Sequence, residues 1–383
     1  MIRHTGANME TVRRKNRATI LQYINDHGPA SRKDLADVIG LTPAAVTQIC
    51  TELLREGILQ ETGQNVEQSG AGRKKVLLDI DYRVAYVYAI NIEPEYTTIA
   101  LSDLKGEQIA CERLKTDASI APETFLKHLA KRCQKMAAAH KKAVPHIAAA
   151  GVGITGLVDR AEGRSIKAYG IWEDEVPIAR ILGQVLELPV FVENNVNAFA
   201  VAEQLYGAGR EYDHLMVIKW GPGVGCAMII DQKIYEGRHA KAAELGHFIV
   251  EKNGALCHCG RRGCLETKVS YPVLNRITPF AEEEFGLTYC KAKGHKEGIA
   301  FDEAIDLFAR SIVNSATIMA PNRILLTGSL FASQIIRDEL VAACSSYDTN
   351  WGEGKVIYSQ LSDREHYIGP VAVCVNRLLF GES

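Results

Sequence analysis

Three cysteines within eight residues, Cys257, Cys259 and Cys264, place the tightest constraint on how this 383-residue chain folds. They sit in the stretch GALCHCGRRGCLE, on a short glycine-containing knuckle, and His247 lies ten residues upstream of Cys257. Three thiolates and one imidazole make a closed tetrahedral structural zinc site spanning 247–264. Such a site staples a loop and leaves no open position for chemistry. A cluster of free or redox-active thiols is the alternative, but close spacing in a reducing compartment points to a metal. The other seven cysteines are scattered, and reduced, mostly buried thiols are expected for them.

The N-terminal stretch has a different grammar. Residues 16–27 carry Ile20, Leu21 and Ile24 at helical spacing, and Gly28-Pro29 stops that helix. Ser31 is a good N-cap for a second helix reaching Ile39, with Gly40 at its end. Thr42 caps a third helix with Pro43 at its first position, where a missing N–H costs nothing. Two short helices joined by a tight turn read as a helix-turn-helix. Thr42, Ala44, Thr47, Gln48 and Thr51 are expected to face outward on the recognition helix, where Gln48 suits adenine. Strands around Ile58-Leu59 and Val76-Leu78 flank a polar, glycine-rich stretch and predict a hairpin wing. Its tip carries Arg73, Lys74 and Lys75, which suit phosphates or the minor groove. Together with Ser31 these residues are the candidate contacts to double-stranded DNA. A three-helix bundle used for protein contact is the competing reading.

Charge agrees with that division. Residues 1–75 carry a net +3 and the remainder a net −5, so nucleic acid would meet the head and not the body. No apolar run reaches the length of a membrane span, and the N-terminus lacks the apolar core of a signal peptide; a cytoplasmic protein is expected.

After Asp79 the texture becomes an alternation of strands and helices. Strands are predicted at 84–92, 97–102, 147–153, 189–192, 214–219, 225–230 and 323–327, and helices at 122–139, 177–187, 196–206, 301–320 and 332–345. This is an α/β domain over 80–383, behind a head of 1–79. Three glycine loops, at Gly151–Gly156, Gly221–Gly225 and Leu326–Ser329, each follow an apolar strand. Singly they are turns; together they suggest a nucleotide or sugar cleft.

At this point the residues resemble a known family. Glu244-Leu-Gly-His247, the knuckle from Cys257 to Glu266, Val192 to Ala198, Gly221 to Gly225 and Ser102 to Gly106 are similar to the signatures of the ROK family of repressors and sugar kinases. With the N-terminal helices, the chain resembles its transcriptional-regulator branch. The resemblance implies a two-lobed actin-like (ribonuclease H-like) fold with a sugar in the cleft. It puts the sugar contacts on Asn194, Asn195, Glu244, His247 and Glu266, with His247 serving both sugar and zinc.

The departures from the family's kinases are chemical. Their Asp-x-Gly-Gly loop is here Asn91-Ile92-Glu93-Pro94, which brings a negative charge to where phosphates would sit. Their catalytic Asp is here Asn195, and an amide is no general base at neutral pH. Pro222 replaces a phosphate-contacting Thr, Ser329 a glycine, and Ala168 a cleft Asn. The expectation is a non-catalytic regulator of carbohydrate genes, probing a sugar or sugar phosphate and binding a palindromic operator as a homodimer or dimer of dimers. An active kinase with a DNA-binding head, and a sensor responding to a protein partner, are the alternatives.

Overall fold

The computed structural model describes residues 9–66, 75–238, 241–349, 351 and 354–381. The head comprises α1 (Met9–His27), β1 (Ala30–Ser31), α2 (Arg32–Ile39), α3 (Pro43–Arg55), β2 (Leu59–Val66) and β3 (Lys75–Ile80). The three strands form one antiparallel sheet in the order β1-β3-β2. Ser31 caps α2 by accepting from the Asp34 N–H, and Thr42 caps α3 by accepting from the Ala45 N–H. Gly40 ends α2 at φ 73°, a left-handed conformation that a β-carbon disfavours. α1 begins seven residues before the predicted start, because its first turns are polar and exposed and carry no apolar period.

The body has two lobes, as the resemblance implied. The first contains β4 (Tyr86–Ile92), β5 (Tyr96–Asp103), β6 (Gln108–Lys115), α4 (Pro122–Ala139), β7 (Ile147–Ile154), β8 (Leu157–Asp159), β9 (Arg164–Lys167), α5 (Ile178–Leu186), β10 (Val190–Asn194) and α6 (Asn195–Tyr206). Its five-stranded sheet has the order β10-β7-β4-β5-β6, parallel through β10, β7 and β4 and antiparallel beyond. The second lobe contains β11 (Leu215–Trp220), β12 (Val224–Ile230), β13 (Lys233–Ile234), α7 (Glu266–Val269), α8 (Tyr271–Leu274), α9 (Phe285–Ala292), α10 (Lys296–Met319), β14 (Arg323–Thr327), α11 (Gln334–Tyr347) and β15 (Val356–Tyr358). Its sheet runs β13-β12-β11-β14-β15. A last helix, α12 (Ile368–Val375), returns to the first lobe and packs on α6, β4 and β7.

Burial explains the layering. α4 and α5 cover one face of the first sheet through Phe125, Leu126, Ile181 and Leu182. α9, α10 and α11 cover the second sheet around Trp220, Phe285, Phe308 and Phe331. α6 and α12 lie between the lobes, and their apolar core runs on without a break into the head through Ile20, Leu21 and Ile24. Gly151 is fixed by this packing: a β-carbon there would run into the Pro370 carbonyl of α12. The glycine loop it opens is therefore, at that end, a packing device and not a phosphate cradle. Five of the seven scattered cysteines are buried as expected, but Cys111 and Cys290 are exposed. Among the described residues no helix is long and apolar enough to cross a membrane.

Candidate functional site

The sugar-contact candidates come from three separate stretches of chain and meet in one cleft of about 400 Å³, lined by residues of both lobes. β10 delivers Glu193 and Asn194 and runs directly into α6, whose first residue is Asn195. The Asn194 Oδ1 accepts from the N–H groups of Val196 and Asn197, and its Nδ2 donates to the Gly156 carbonyl at 2.8 Å. Asn194 therefore caps α6 and fastens a loop, with little hydrogen-bonding capacity left for a ligand. Glu193 is buried and takes the Asn194 N–H at 2.8 Å and the Asn197 amide at 3.2 Å; burial holds its pKa above the usual carboxylate range.

On the opposite wall, Glu266 accepts from the Val224 N–H at 3.1 Å. Glu244 Oε2 lies 3.4 Å from His247 Nε2. The other ring nitrogen, Nδ1, faces the Cys257 sulfur at 3.5 Å, and the sulfurs of Cys259 and Cys264 are 3.6 Å apart. All four donor atoms fall within 4.8 Å of one another, a set able to hold one metal ion. The knuckle is closed by Cys257 N–H to Arg261 O at 2.8 Å and Gly260 N–H to Cys257 O at 2.9 Å. His247 thus has one nitrogen toward the sulfurs and one toward the cleft, with the Tyr169 ring edge-on at 5.2 Å.

Asn195 has a partner that sequence reading did not supply. Its Nδ2 donates to Glu93 Oε1 at 3.1 Å, and the same oxygen takes the Lys219 ammonium at 2.8 Å. Lys219 also meets Glu365 Oε1 at 2.9 Å, and Thr327 donates to the other Glu365 oxygen at 2.8 Å. Burial alone would lower the Lys219 pKa; Glu365 and Glu93 together reverse this and raise it. An ion cluster drawn from both lobes therefore occupies the region beside Asn195. Lys219 was missed because β11 reads as a continuous apolar strand; a lone cation within LMVIKW was the available signal. Ser329 is likewise engaged, donating to Glu282. Ala168 is fully buried and is not part of the cleft lining.

In the head, Thr42, Ala44, Thr47, Gln48 and Thr51 are all exposed. From Ala44 onward they follow helical spacing and share one face of α3. Thr47 and Thr51 donate to the carbonyls of Pro43 and Thr47, each at 2.7 Å, which leaves their methyls and lone pairs outward. Ser31 does not join this surface: it is 3% exposed and its hydroxyl is engaged with Asp34. Lys75 pairs with Asp34 at 2.7 Å and ties β3 to α2. Arg73 and Lys74 lie outside the described residues.

One further contact joins the head to the cleft. Asn25, on α1 and 7% exposed, donates to the Leu205 carbonyl at the far end of α6, at 3.2 Å, and accepts from the Tyr82 hydroxyl at 2.8 Å. Arg210 donates to its main-chain carbonyl. A single helix thus starts in the cleft at Asn195 and ends against the head.

Known proteins share this organisation. The ROK family profile matches residues 87–376, and a profile described as winged helix-turn-helix DNA-binding matches residues 13–60. The xylose repressor of Bacillus subtilis is 24% identical over 97% of this chain and 98% of its own length. The transcriptional dual regulator NagC of Escherichia coli is 25% identical over 98% of this chain and 95% of its own. A ROK family transcriptional regulator described as a homologue of the E. coli MLC protein superposes with a TM-score of 0.83 at 22% identity, covering 97% of both chains. A ROK family glucokinase from Streptomyces griseus, solved with glucose and AMPPNP, reaches 0.61 at 22% identity over 75% of this chain and 98% of its own. The kinase therefore shares the fold of the body alone, whereas the repressors align from head to tail, and the chain belongs to the ROK family, as one of its members with an N-terminal winged helix-turn-helix.

Proposed function

We propose that the protein is a sugar-responsive, sequence-specific DNA-binding regulator, most simply a repressor of carbohydrate genes, whose body binds an effector without phosphorylating it. The head, residues 1–79, is the output, and residues 80–383 are the sensor. The observation that carries this reading is the course of α6, from Asn195 in the cleft to Leu205 at the Asn25 joint. A sugar held between the lobes biases the position of α6, and with it the head. It does so only through a difference in affinity between the two lobe arrangements.

Two features speak against kinase activity. The Asn195 amide cannot accept a hydroxyl proton at neutral pH, and Glu93 with its ion partners occupies the phosphate side of the cleft. No phosphate transfer from ATP to any sugar is expected in a turnover assay. In the cleft, Glu244 and Glu266 accept from sugar hydroxyls while His247 Nε2 faces the ligand; Asn195 contributes its carbonyl oxygen.

The ion held by His247, Cys257, Cys259 and Cys264 is zinc in this reading. Tetrahedral zinc with Zn–S of about 2.3 Å and Zn–N of about 2.0 Å spaces its thiolates about 3.8 Å apart and a sulfur and a nitrogen about 3.5 Å apart. The spacings of 3.6 and 3.5 Å match. Zinc supplies no chemistry here beyond fixing the knuckle and the tautomer of His247. Two copies of the chain, as a homodimer or a dimer of dimers in the cytoplasm, place two α3 helices on the half-sites of a palindrome.

Selection of bound sequences from random duplex DNA at about 0.15 M salt, followed by titration of the selected duplex with and without sugars, tests the reading. A selected consensus whose affinity changes on sugar addition is expected. Equal affinity for every duplex at that salt overturns it.

A further inference from the structure

The cleft is built to receive hydrogen-bond donors, not a second source of negative charge. Seven glutamates line it against three lysines or arginines. Each of those cations is already committed or set at the rim. The Lys219 ammonium lies between Glu93 and Glu365, at 2.8 and 2.9 Å. Arg160 Nε meets Glu236 at 2.5 Å, and its other end lies 4.0 Å from Glu193. Arg113 is exposed and stacks on the Tyr96 ring at 3.9 Å. His258, at the exposed mouth, faces Glu266.

Two of the backbone donors that a phosphate would use are taken as well. In the loop after β11, the Gly221 N–H donates to the Gly223 carbonyl at 3.1 Å and the Val224 N–H to Glu266 at 3.1 Å. Pro222 between them has no N–H. A phosphate ester brings only acceptors and a charge, and would meet filled donors and carboxylates. A free hydroxyl brings the donor that a carboxylate lacks.

Resting on the sugar-sensing reading above, we infer that the cleft selects an unphosphorylated sugar and rejects the corresponding sugar phosphate. The discrimination comes from the Glu93–Lys219–Glu365 cluster, which cancels the cation deepest in the cleft and leaves a carboxylate beside Asn195. A like charge brought against a partly buried carboxylate is unfavourable unless a cation is released to meet it.

Calorimetric titration of the full-length protein with matched pairs tests this: glucose, mannose and N-acetylglucosamine, each against its 6-phosphate. At least one free sugar is expected to bind, with its phosphate weaker by about thirtyfold or more, which is about 2 kcal/mol. In the double variant Glu93→Gln, Glu365→Gln the ammonium is left uncompensated, and the ratio of phosphate to free-sugar affinity is expected to rise about tenfold. Glu93→Gln alone, the milder change, is expected to raise the ratio in the same direction by about threefold. A phosphate that binds the parent protein more tightly than its free sugar overturns the inference, as does a ratio that neither variant moves. Absence of heat with every free sugar and every phosphate overturns the sensing reading itself, a result distinct from both.

Discussion

Replacing Asn25 with Leu tests the joint between sensor and head. The side chain is 7% exposed and makes two contacts that leave its own element, to the Leu205 carbonyl and from the Tyr82 hydroxyl. The Arg210 contact is to main chain and survives the substitution. Each lost hydrogen bond is worth about 0.5–1.5 kcal/mol, and a stranded buried partner raises that to about 1–3. Leu fills a similar volume and returns some apolar burial, so a net loss of about 2–4 kcal/mol is expected. Because one apolar core runs from α1 into α6 and α12, head and body should melt together. At about 2.1 cal/mol/K per residue, 383 residues give about 0.8 kcal/mol/K, so Tm should fall by about 2.5–5 °C. Scanning calorimetry reads this directly. The variant should still bind DNA, since α3 is untouched, but the sugar-induced change in operator affinity, ordinarily about 5- to 150-fold, should shrink to about twofold or less. A variant with an unaltered Tm and an undiminished sugar response would refute α6 as the connection.

Three other outcomes are expected. Cys264→Ala should abolish the stoichiometric zinc measured by elemental analysis of the purified protein and lower Tm, because a closed site loses its geometry with any one ligand. Gln48→Ala, on the exposed face of α3, should weaken a selected operator by about 1–3 kcal/mol in an anisotropy titration and leave Tm unchanged; an equal loss on random duplex would place Gln48 on phosphate instead. Glu203 is fully buried, and burial pushes its pKa up to about 7 despite hydrogen bonds from Ser359 and the Ala208 N–H. The native state then holds a proton that the unfolded chain releases near pH 4.5. Stability is therefore greatest below that pH and falls as pH rises toward 7, by up to about 3 kcal/mol. Glu203→Gln should remove that slope from a Tm-against-pH series, and a parallel slope in both proteins would contradict the assignment.

Local signals in the sequence were sufficient wherever the structure is set by local rules. Ser31, Gly40, Thr42 and Pro43 fix the ends of α2 and α3 through hydrogen bonds within three or four residues, and those ends fall where expected. The knuckle was legible for the same reason: its three cysteines and histidine are close in sequence, and the structure brings their donor atoms together. The central strands of the two lobes, β4, β5, β7, β10, β11, β12 and β14, were visible as apolar runs, because both sheet faces are covered.

Other elements escaped because their cause is not local. α12 reads IGPVAVCV and is buried on every side, so it has no amphipathic period to detect. β6 is an edge strand that carries Glu112, Arg113 and Lys115, and it has no apolar run from which a strand is predicted. Asn194 lines the cleft, and its second role, capping the start of α6, is set by the turn from β10.

The residue types thus determined by themselves that this chain carries a helix-turn-helix head, a cysteine–histidine knuckle able to hold a metal, and a ROK body with an amide, Asn195, at the start of α6. Capping, metal ligation and proton transfer each depend on which atoms a side chain owns. Only the tertiary structure decided that Glu93, Lys219 and Glu365 meet beside Asn195, and that Asn25 closes on the end of α6. Those contacts join residues more than a hundred positions apart. They exist because packing α6 and α12 between two sheets brings the segments together, a consequence of burying apolar surface that no short stretch of sequence contains.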